Sequence, residues 1–237
     1  MPDLAAKAIE IEARANAALS ELTFDTPVTH VYNPLEYAQA PHRLYLDRFL
    51  KHRPKALLLG MNPGPYGMAQ TGVPFGEIAA VRDWLGITAN VAKPEVEHPK
   101  RPIDGFNCKR SEVSGRRLWG WAESRWGRPE RFFDVCFVHN YCPLVFMADT
   151  GRNITPDKLK RSERDSVYAI CDQLLAEMVE LIQPQRIVGV GAFAEQKALA
   201  VCGAYPVSRM PHPSPASPAA NRGWDEMANA VFDELGL

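Results

Sequence analysis

The sequence has no run of about 18 apolar residues, the length a membrane-spanning helix needs. Near Met1-Pro2-Asp3-Leu4-Ala5-Ala6-Lys7 there is no basic segment leading into an apolar one, so no secretory signal is expected. Cysteine is sparse: five in 237 residues, at positions 108, 136, 142, 171 and 202, with no C-x-x-C pair. An odd, scattered set argues against a disulfide framework and for a reduced, cytoplasmic chain. Zinc and iron–sulfur sites need grouped thiolates, which this spacing does not supply. The six histidines are scattered too, and none is assigned to a metal. There is no internal repeat and no low-complexity tract. Nor is there an excess of one charge: 27 Lys and Arg stand against 28 Asp and Glu, a net −1. A chain coated with basic residues for broad polyanion binding is thereby excluded.

What is present is ordinary globular composition, 46% apolar and 23% charged. The length suits one domain over residues 1–237. Apolar residues at helical spacing point to helices over 3–22, 42–52, 77–86, 113–126, 157–182, 193–201 and 219–235. Residues 88–111 are Pro-rich and irregular. Short apolar runs at 55–60, 132–138, 186–191 and 205–210 suggest buried strands. Strands that are apolar throughout and alternate with helices imply a parallel sheet covered on both faces. The expected fold class is α/β: a three-layer α/β/α domain around a central four-stranded parallel sheet.

In such sheets ligands bind beyond the carboxyl ends of the strands. After the first strand comes Gly60-Met61-Asn62-Pro63-Gly64-Pro65-Tyr66-Gly67-Met68, continuing to Phe75-Gly76-Glu77. After the second comes His139-Asn140-Tyr141-Cys142-Pro143-Leu144, and after the fourth Pro211-His212-Pro213-Ser214-Pro215-Ala216-Ser217-Pro218. The third runs into Gly191-Ala192-Phe193. Gly and Pro can simply stop strands. Asn62, Asn140 and His212 on one rim, beside an aromatic such as Phe75, instead suit a small planar ligand with several hydrogen-bonding edges. Gly189-x-Gly191 lacks the third glycine of a dinucleotide fingerprint. Ser208 and Ser214 lie in no G-x-S-x-G elbow, so a serine nucleophile is not expected.

Gly60 to Glu77, Val138 to Leu144 and His212 to Trp224 resemble the motif blocks of the single-strand-selective monofunctional uracil-DNA glycosylase family, within the uracil-DNA glycosylase superfamily. The resemblance spans roughly residues 40–235 and implies the uracil-DNA glycosylase fold. It implies base excision repair of DNA, in which a target base is flipped into a pocket. Asn62 matches the water-positioning residue and His212 the group that donates to uracil O2. Phe75 matches the stacking ring, and Asn140 the amide that reads O4 and N3–H. Met61, Gly64 and Met68 complete the base-binding set. Gly64 stands where other branches carry a tyrosine that blocks C5, so C5-oxidised uracils such as 5-hydroxymethyluracil are expected substrates. The loop Pro213, Ser214, Pro215, Ala216 and Ser217 matches the wedge that fills the gap in DNA, with Arg222 as a backbone contact. Here the chain departs from the family: vertebrate members carry Arg-Asn where it has Ala216-Ser217, which puts strong duplex opening in doubt. No Lys lies in the motif blocks to form a Schiff base, so an abasic site without strand cleavage is the expected product. No cofactor or metal is implied. The expected form is a monomer in the cytoplasm, nucleoid-associated in a bacterium. Two alternatives remain at this point: a glycosylase preferring hypoxanthine or xanthine, and a catalytically weak nucleic-acid or nucleotide-binding module on the same fold.

The charge balance hides segregation along the chain. Residues 98–131 carry nine Lys and Arg against four acids, a local net of +5. Residues 224–237 carry four acids and no Lys or Arg. A neutral chain of this kind can still present a basic face to phosphates.

Overall fold

A computed structural model describes residues 3–237; Met1 and Pro2, the start of the expected domain, lie outside the described residues. Its strands are β1 (His30–Tyr32), β2 (Ala56–Gly60), β3 (Cys136–Asn140), β4 (Val145–Met147), β5 (Asn153–Ile154), β6 (Arg186–Val190) and β7 (Val207–Met210). Its helices are α1 (Leu4–Ser20), α2 (Pro34–Tyr37), α3 (Gln39–Phe49), α4 (Met68–Thr71), α5 (Val113–Trp126), α6 (Pro129–Phe133), α7 (Arg161–Ile182), α8 (Ala192–Val201) and α9 (Trp224–Leu235).

Every residue of β2 and β3 is buried; β2 is apolar throughout, as a strand covered on both faces requires, and β3 is apolar up to His139 and Asn140 at its carboxyl end. The main sheet has the order β3-β2-β6-β7, all parallel. The step from β2 to β3 runs one way across the sheet, and the steps from β3 to β6 and on to β7 run the other. Right-handed crossovers then place the connecting helices on opposite faces. Accordingly α5 packs with α6 and α9, while α7 packs with α8 and α1. These are the three expected layers.

A second sheet, the antiparallel ribbon β1-β4-β5, was not expected. Its strands are two or three residues long, too short for an alternating pattern to register. The run expected as a strand over 132–138 divides instead: Phe132 and Phe133 end α6, and the strand runs from Cys136 to Asn140. Pro129 at the first helical turn starts α6 and delivers both rings against Trp119, at centroid distances of 5.7 and 6.0 Å. The helix expected over 77–86 is one π-type turn at Ala80–Trp84, closed before Gly86 at φ 64°. Leu159 lies outside α7, in extended backbone after a 3-10 turn at Pro156–Lys158. Gly223, at φ 149°, separates a 3-10 turn at Ala220–Arg222 from α9, so the last helix starts five residues later than its periodicity suggests.

Candidate active site

The course of the chain across the sheet reverses between β2 and β3, so the loops leaving their carboxyl ends diverge to opposite faces and leave a crevice. Gly60 and Asn140 are register partners at that crevice. A cavity of about 390 Å³ opens there. It is lined by Met61, Asn62, Gly64, Phe75, Asn140 and His212, together with Ser214 of the proline-rich loop. The chain beyond the carboxyl ends of β2, β3 and β7 thus meets at one concave surface, within the size range of small-molecule sites.

Each side chain is held by its surroundings. Asn62 Nδ2 donates to Leu144 O at 3.1 Å, the carbonyl that precedes β4. That bond commits the amide's donor end, so Oδ1 is left to accept from a ligand or water. Asn140 is buried, and its Nδ2 donates to Met68 Sδ at 3.3 Å. Sulfur is a weak acceptor, so the donor is readily given up to a better one. Met68 is buried behind Asn140 and supports it rather than forming the cavity wall. Gly60 makes this approach possible: a Cβ there would stand 2.3 Å from Asn140 Oδ1 and 2.7 Å from Phe75 Cε2.

Phe75 has φ 52°, a left-handed conformation rare for any residue but glycine. Three contacts impose it. Trp119 Nε1 donates to Phe75 O at 3.0 Å. Gly115 of α5 lies so close that a Cβ would sit 2.0 Å from the same oxygen. Thr71 Oγ1 donates to Gly76 O at 2.9 Å and closes the turn. The ring therefore stands at the cavity wall, 6.1 Å from the His212 ring and inclined 44° to it. His212 in turn rests on Gly191, which has φ 92° and would place a Cβ 3.2 Å from His212 Cβ. Burial pushes the His212 pKa below its ordinary value, so the imidazole is neutral at pH 7.

The loop after β7 is fixed at both ends. Trp224 Nε1 donates to Pro211 O at 2.8 Å, and Asn221 Nδ2 to Pro215 O at 2.9 Å. Arg117, from α5, donates to Pro213 O at 3.0 Å and to Asn221 Oδ1 at 2.7 Å. Pro215 and Ala216 are exposed at the tip and Ser217 is half-buried; none of the three lines the cavity. Arg222 is exposed and makes no side-chain hydrogen bond or ion pair among the described residues.

Four functional candidates escaped the sequence reading. Arg117 braces the loop but was one cation among nine in its segment. Glu112, Asn153 and Thr155 line the cavity from outside the motif blocks. Burial pushes the Glu112 carboxyl up, against the pull of the Gly115 and Ser114 N–H groups it caps at 3.1 and 3.3 Å. Asn153 Oδ1 is shielded from solvent and has no protein donor. Its position on a two-residue strand left no periodic signal. Behind the site, α1, α3 and β3 are joined by buried polar groups. His42 Nε2 lies 2.8 Å from Glu12 Oε2, and His42 Nδ1 lies 2.7 Å from Gly72 O in the loop after α4. His139 Nδ1 is 3.9 Å from Glu12 Oε1.

Comparison with known proteins defines the class. The model of the uracil DNA glycosylase superfamily matches residues 48–235. The solved structure of wild-type SMUG2 from Pedobacter heparinus shares the fold, with a TM-score of 0.69 at 18% identity over 98% of each chain. Relatives named single-strand selective monofunctional uracil-DNA glycosylase are much nearer in sequence. Those of Rattus norvegicus, Mus musculus and Bos taurus are 51%, 50% and 49% identical over 97% of this chain, and over 84%, 84% and 86% of their own lengths. The chain belongs to the single-strand-selective monofunctional uracil-DNA glycosylase family.

Proposed function

We propose that this protein is a monofunctional DNA glycosylase of base excision repair that hydrolyses the bond between uracil and deoxyribose. The observation that carries the reading is the meeting of Asn62, Phe75, Asn140 and His212 at one cavity. A flipped uracil stacks on Phe75. Asn140 Nδ2 moves from Met68 Sδ to donate to O4, and Oδ1 accepts from N3–H. Cytosine reverses that donor and acceptor pattern and would leave both groups opposed, which discriminates strongly in a buried site.

As the C1′–N1 bond breaks, its electron pair passes to the base and charge gathers on O2. His212, neutral and desolvated, donates an N–H there and stabilises the leaving anion without giving up its proton. Asn62 Oδ1 accepts from a water whose oxygen forms the new bond to C1′. The water's second proton goes to solvent or to the departing uracil anion. The products are free uracil and an abasic site. Asn62 cannot accept a proton as a carboxylate does, so positioning and leaving-group stabilisation carry the reaction. No step requires a metal or cofactor.

Gly64 leaves room beside the base, which supports C5-oxidised uracils, including 5-hydroxymethyluracil, as further substrates. Met61 contributes to the pocket floor. The loop from Pro213 to Ser217 enters the space left by the base, with Arg222 against the backbone; Ala216 and Ser217 are small, so the wedge is weak and single strands are handled at least as well as duplex. We read residues 1–237 as one domain, acting as a monomer in the cytoplasm. Among the described residues no helix is long and apolar enough to cross a membrane. The test is release of free base from matched single- and double-stranded oligonucleotides carrying uracil, 5-hydroxymethyluracil, hypoxanthine or xanthine. Uracil and its C5-oxidised form are expected to lead. Faster release of either purine, or binding without release, would overturn the reading. Asn140→Asp replaces the amide donor with an acceptor and should abolish most uracil release; near wild-type release would remove Asn140 from its assigned role.

A further inference from the structure

A second and larger cleft, about 680 Å³, lies on the other side of the first motif loop. Gly64 and Pro65 line the base cavity, and the next residue, Tyr66, lines this cleft. Neighbouring residues of one loop thus line both concave surfaces. The second is lined by Lys93, Lys100, Lys109 and Arg110 against one acid, Asp104. Lys93 is already paired with Glu97 at 2.8 Å. Lys100 and Lys109 are exposed and make no side-chain bond among the described residues. Arg110 donates to Tyr66 Oη at 2.8 Å, with its guanidinium carbon 5.0 Å from the ring centroid. That contact uses one of its five N–H donors and fixes the orientation of the rest.

The cleft is also rigidly indexed to the base pocket. Gln70 is buried, and its amide clamps both walls. Its Nε2 donates to Pro65 O at 3.1 Å and to Pro102 O at 3.0 Å, while its Oε1 accepts from Asp104 N at 2.9 Å and Gly105 N at 3.1 Å. The backbone of the Pro-rich segment that carries these cations is thus anchored to the first motif loop. In contrast, the exposed tip of the loop after β7, Pro215-Ala216, carries no charge.

We propose that this cleft is a strand-tracking site: it takes the backbone phosphates of the single strand flanking the flipped nucleotide, on Lys100, Lys109 and Arg110. The inference rests on the glycosylase reading only for the identity of the substrate; the binding it describes does not require base release. It assigns most of the affinity for single strands to the cleft, not to the wedge loop.

The test measures binding of a uracil-free single-stranded 15-mer by fluorescence anisotropy across salt concentrations. K109E/R110E is expected to raise Kd by about tenfold at low salt and to flatten the dependence of log Kd on log salt by about 1.4, two phosphates at about 0.7 each. K100A/K109A, which only neutralises exposed positions, should flatten it by a similar amount. A substitution in the wedge loop, Ala216→Gly, should leave Kd and slope within twofold. Wild-type Kd and slope in both cleft variants would overturn the proposal, as would a larger loss from the loop variant. Uracil excision by the two cleft variants should show raised KM with kcat retained. A wild-type protein that bound the 15-mer with the expected slope yet released no uracil would sink the glycosylase reading and leave the cleft standing.

Discussion

At residue 60 a single methyl group has nowhere to go. Its Cβ would fall 2.3 Å from Asn140 Oδ1 and 2.7 Å from the Phe75 ring, so the absence of a side chain at the end of β2 is what lets Asn140 and Phe75 approach each other. Gly60→Ala should lower kcat/KM for uracil by about 10², the scale of a displacement near 1 Å in a catalytic site. Steady-state kinetics beside a thermal melt checks this; a variant that melts lower yet excises normally would refute the positional argument. His212 offers a second handle. Burial lowers its pKa below the ordinary value, so it is neutral at pH 7 and above. The ratio of wild-type to His212→Ala rates should therefore stay flat from about pH 7 to 8.5, at about 10²–10³. An inflection in that ratio above pH 7 would show that a charged imidazole is needed.

Among the elements, α1 is the least expected participant. It carries Glu12, whose buried carboxylate holds His42, and His42 holds the Gly72 carbonyl at the end of α4. Burial pulls the His42 pKa down, but the Glu12 charge and the hydrogen bonds to Glu12 and Gly72 outweigh it and raise the pKa overall. For Glu12, burial raises the pKa, and the two histidines outweigh that to lower it. A raised His pKa stabilises fully below the unfolded value near 6.5 and loses that contribution as pH rises through the folded value. A lowered Glu pKa stabilises above its unfolded value and loses the contribution as pH falls through the folded one. Glu12→Gln should thus cost most between about pH 4.5 and 6.5, roughly 2–4 kcal/mol, and less at pH 8 and above. Urea melts of both proteins across pH measure this; a cost that grows from pH 6 to 9 would contradict the pairing. The same elements show what sequence could and could not reveal. β2 was legible because burial on both faces leaves an unbroken apolar run, and β3 and β6 because their apolar stretches are interrupted only at an end or by one glycine; β7, half-exposed with Ser208 and Arg209, was legible mainly from its place between α8 and the proline-rich loop. Phe132 and Phe133 misled because a run of that kind looks the same in a short buried helix. The ribbon β1-β4-β5 was invisible because strands this short carry no period, and with it went Asn153 and Thr155. Nothing in the sequence marks Glu12 among the acids of α1; only the packing of α1 on α3 shows its partner.

For the whole molecule, neutrality conceals arrangement. Cations from residues 98–131 appear in two places that matter to the site: Arg117 braces the loop after β7, and Lys100, Lys109 and Arg110 line the cleft beyond Tyr66. The acids of 224–237 all lie on α9, where Asp233 pairs with Arg125 at 2.8 Å. The parallel sheet sets the rest. Its reversal at β2 and β3 brings Asn62 and Asn140 to one crevice, and β7 delivers His212 to the same rim. We propose that this rim hydrolyses the uracil–sugar bond with water held by Asn62. The most direct test is single-turnover release of free uracil from a uracil-containing oligonucleotide in EDTA, by the wild-type protein and by Asn62→Ala, with the Kd of each for the same strand measured in parallel. The wild type should release uracil, the variant's rate should fall by about 10²-fold or more, and the two Kd values should lie within a few-fold of each other. No release at high wild-type enzyme, or a variant that loses binding and rate in equal measure, would contradict it.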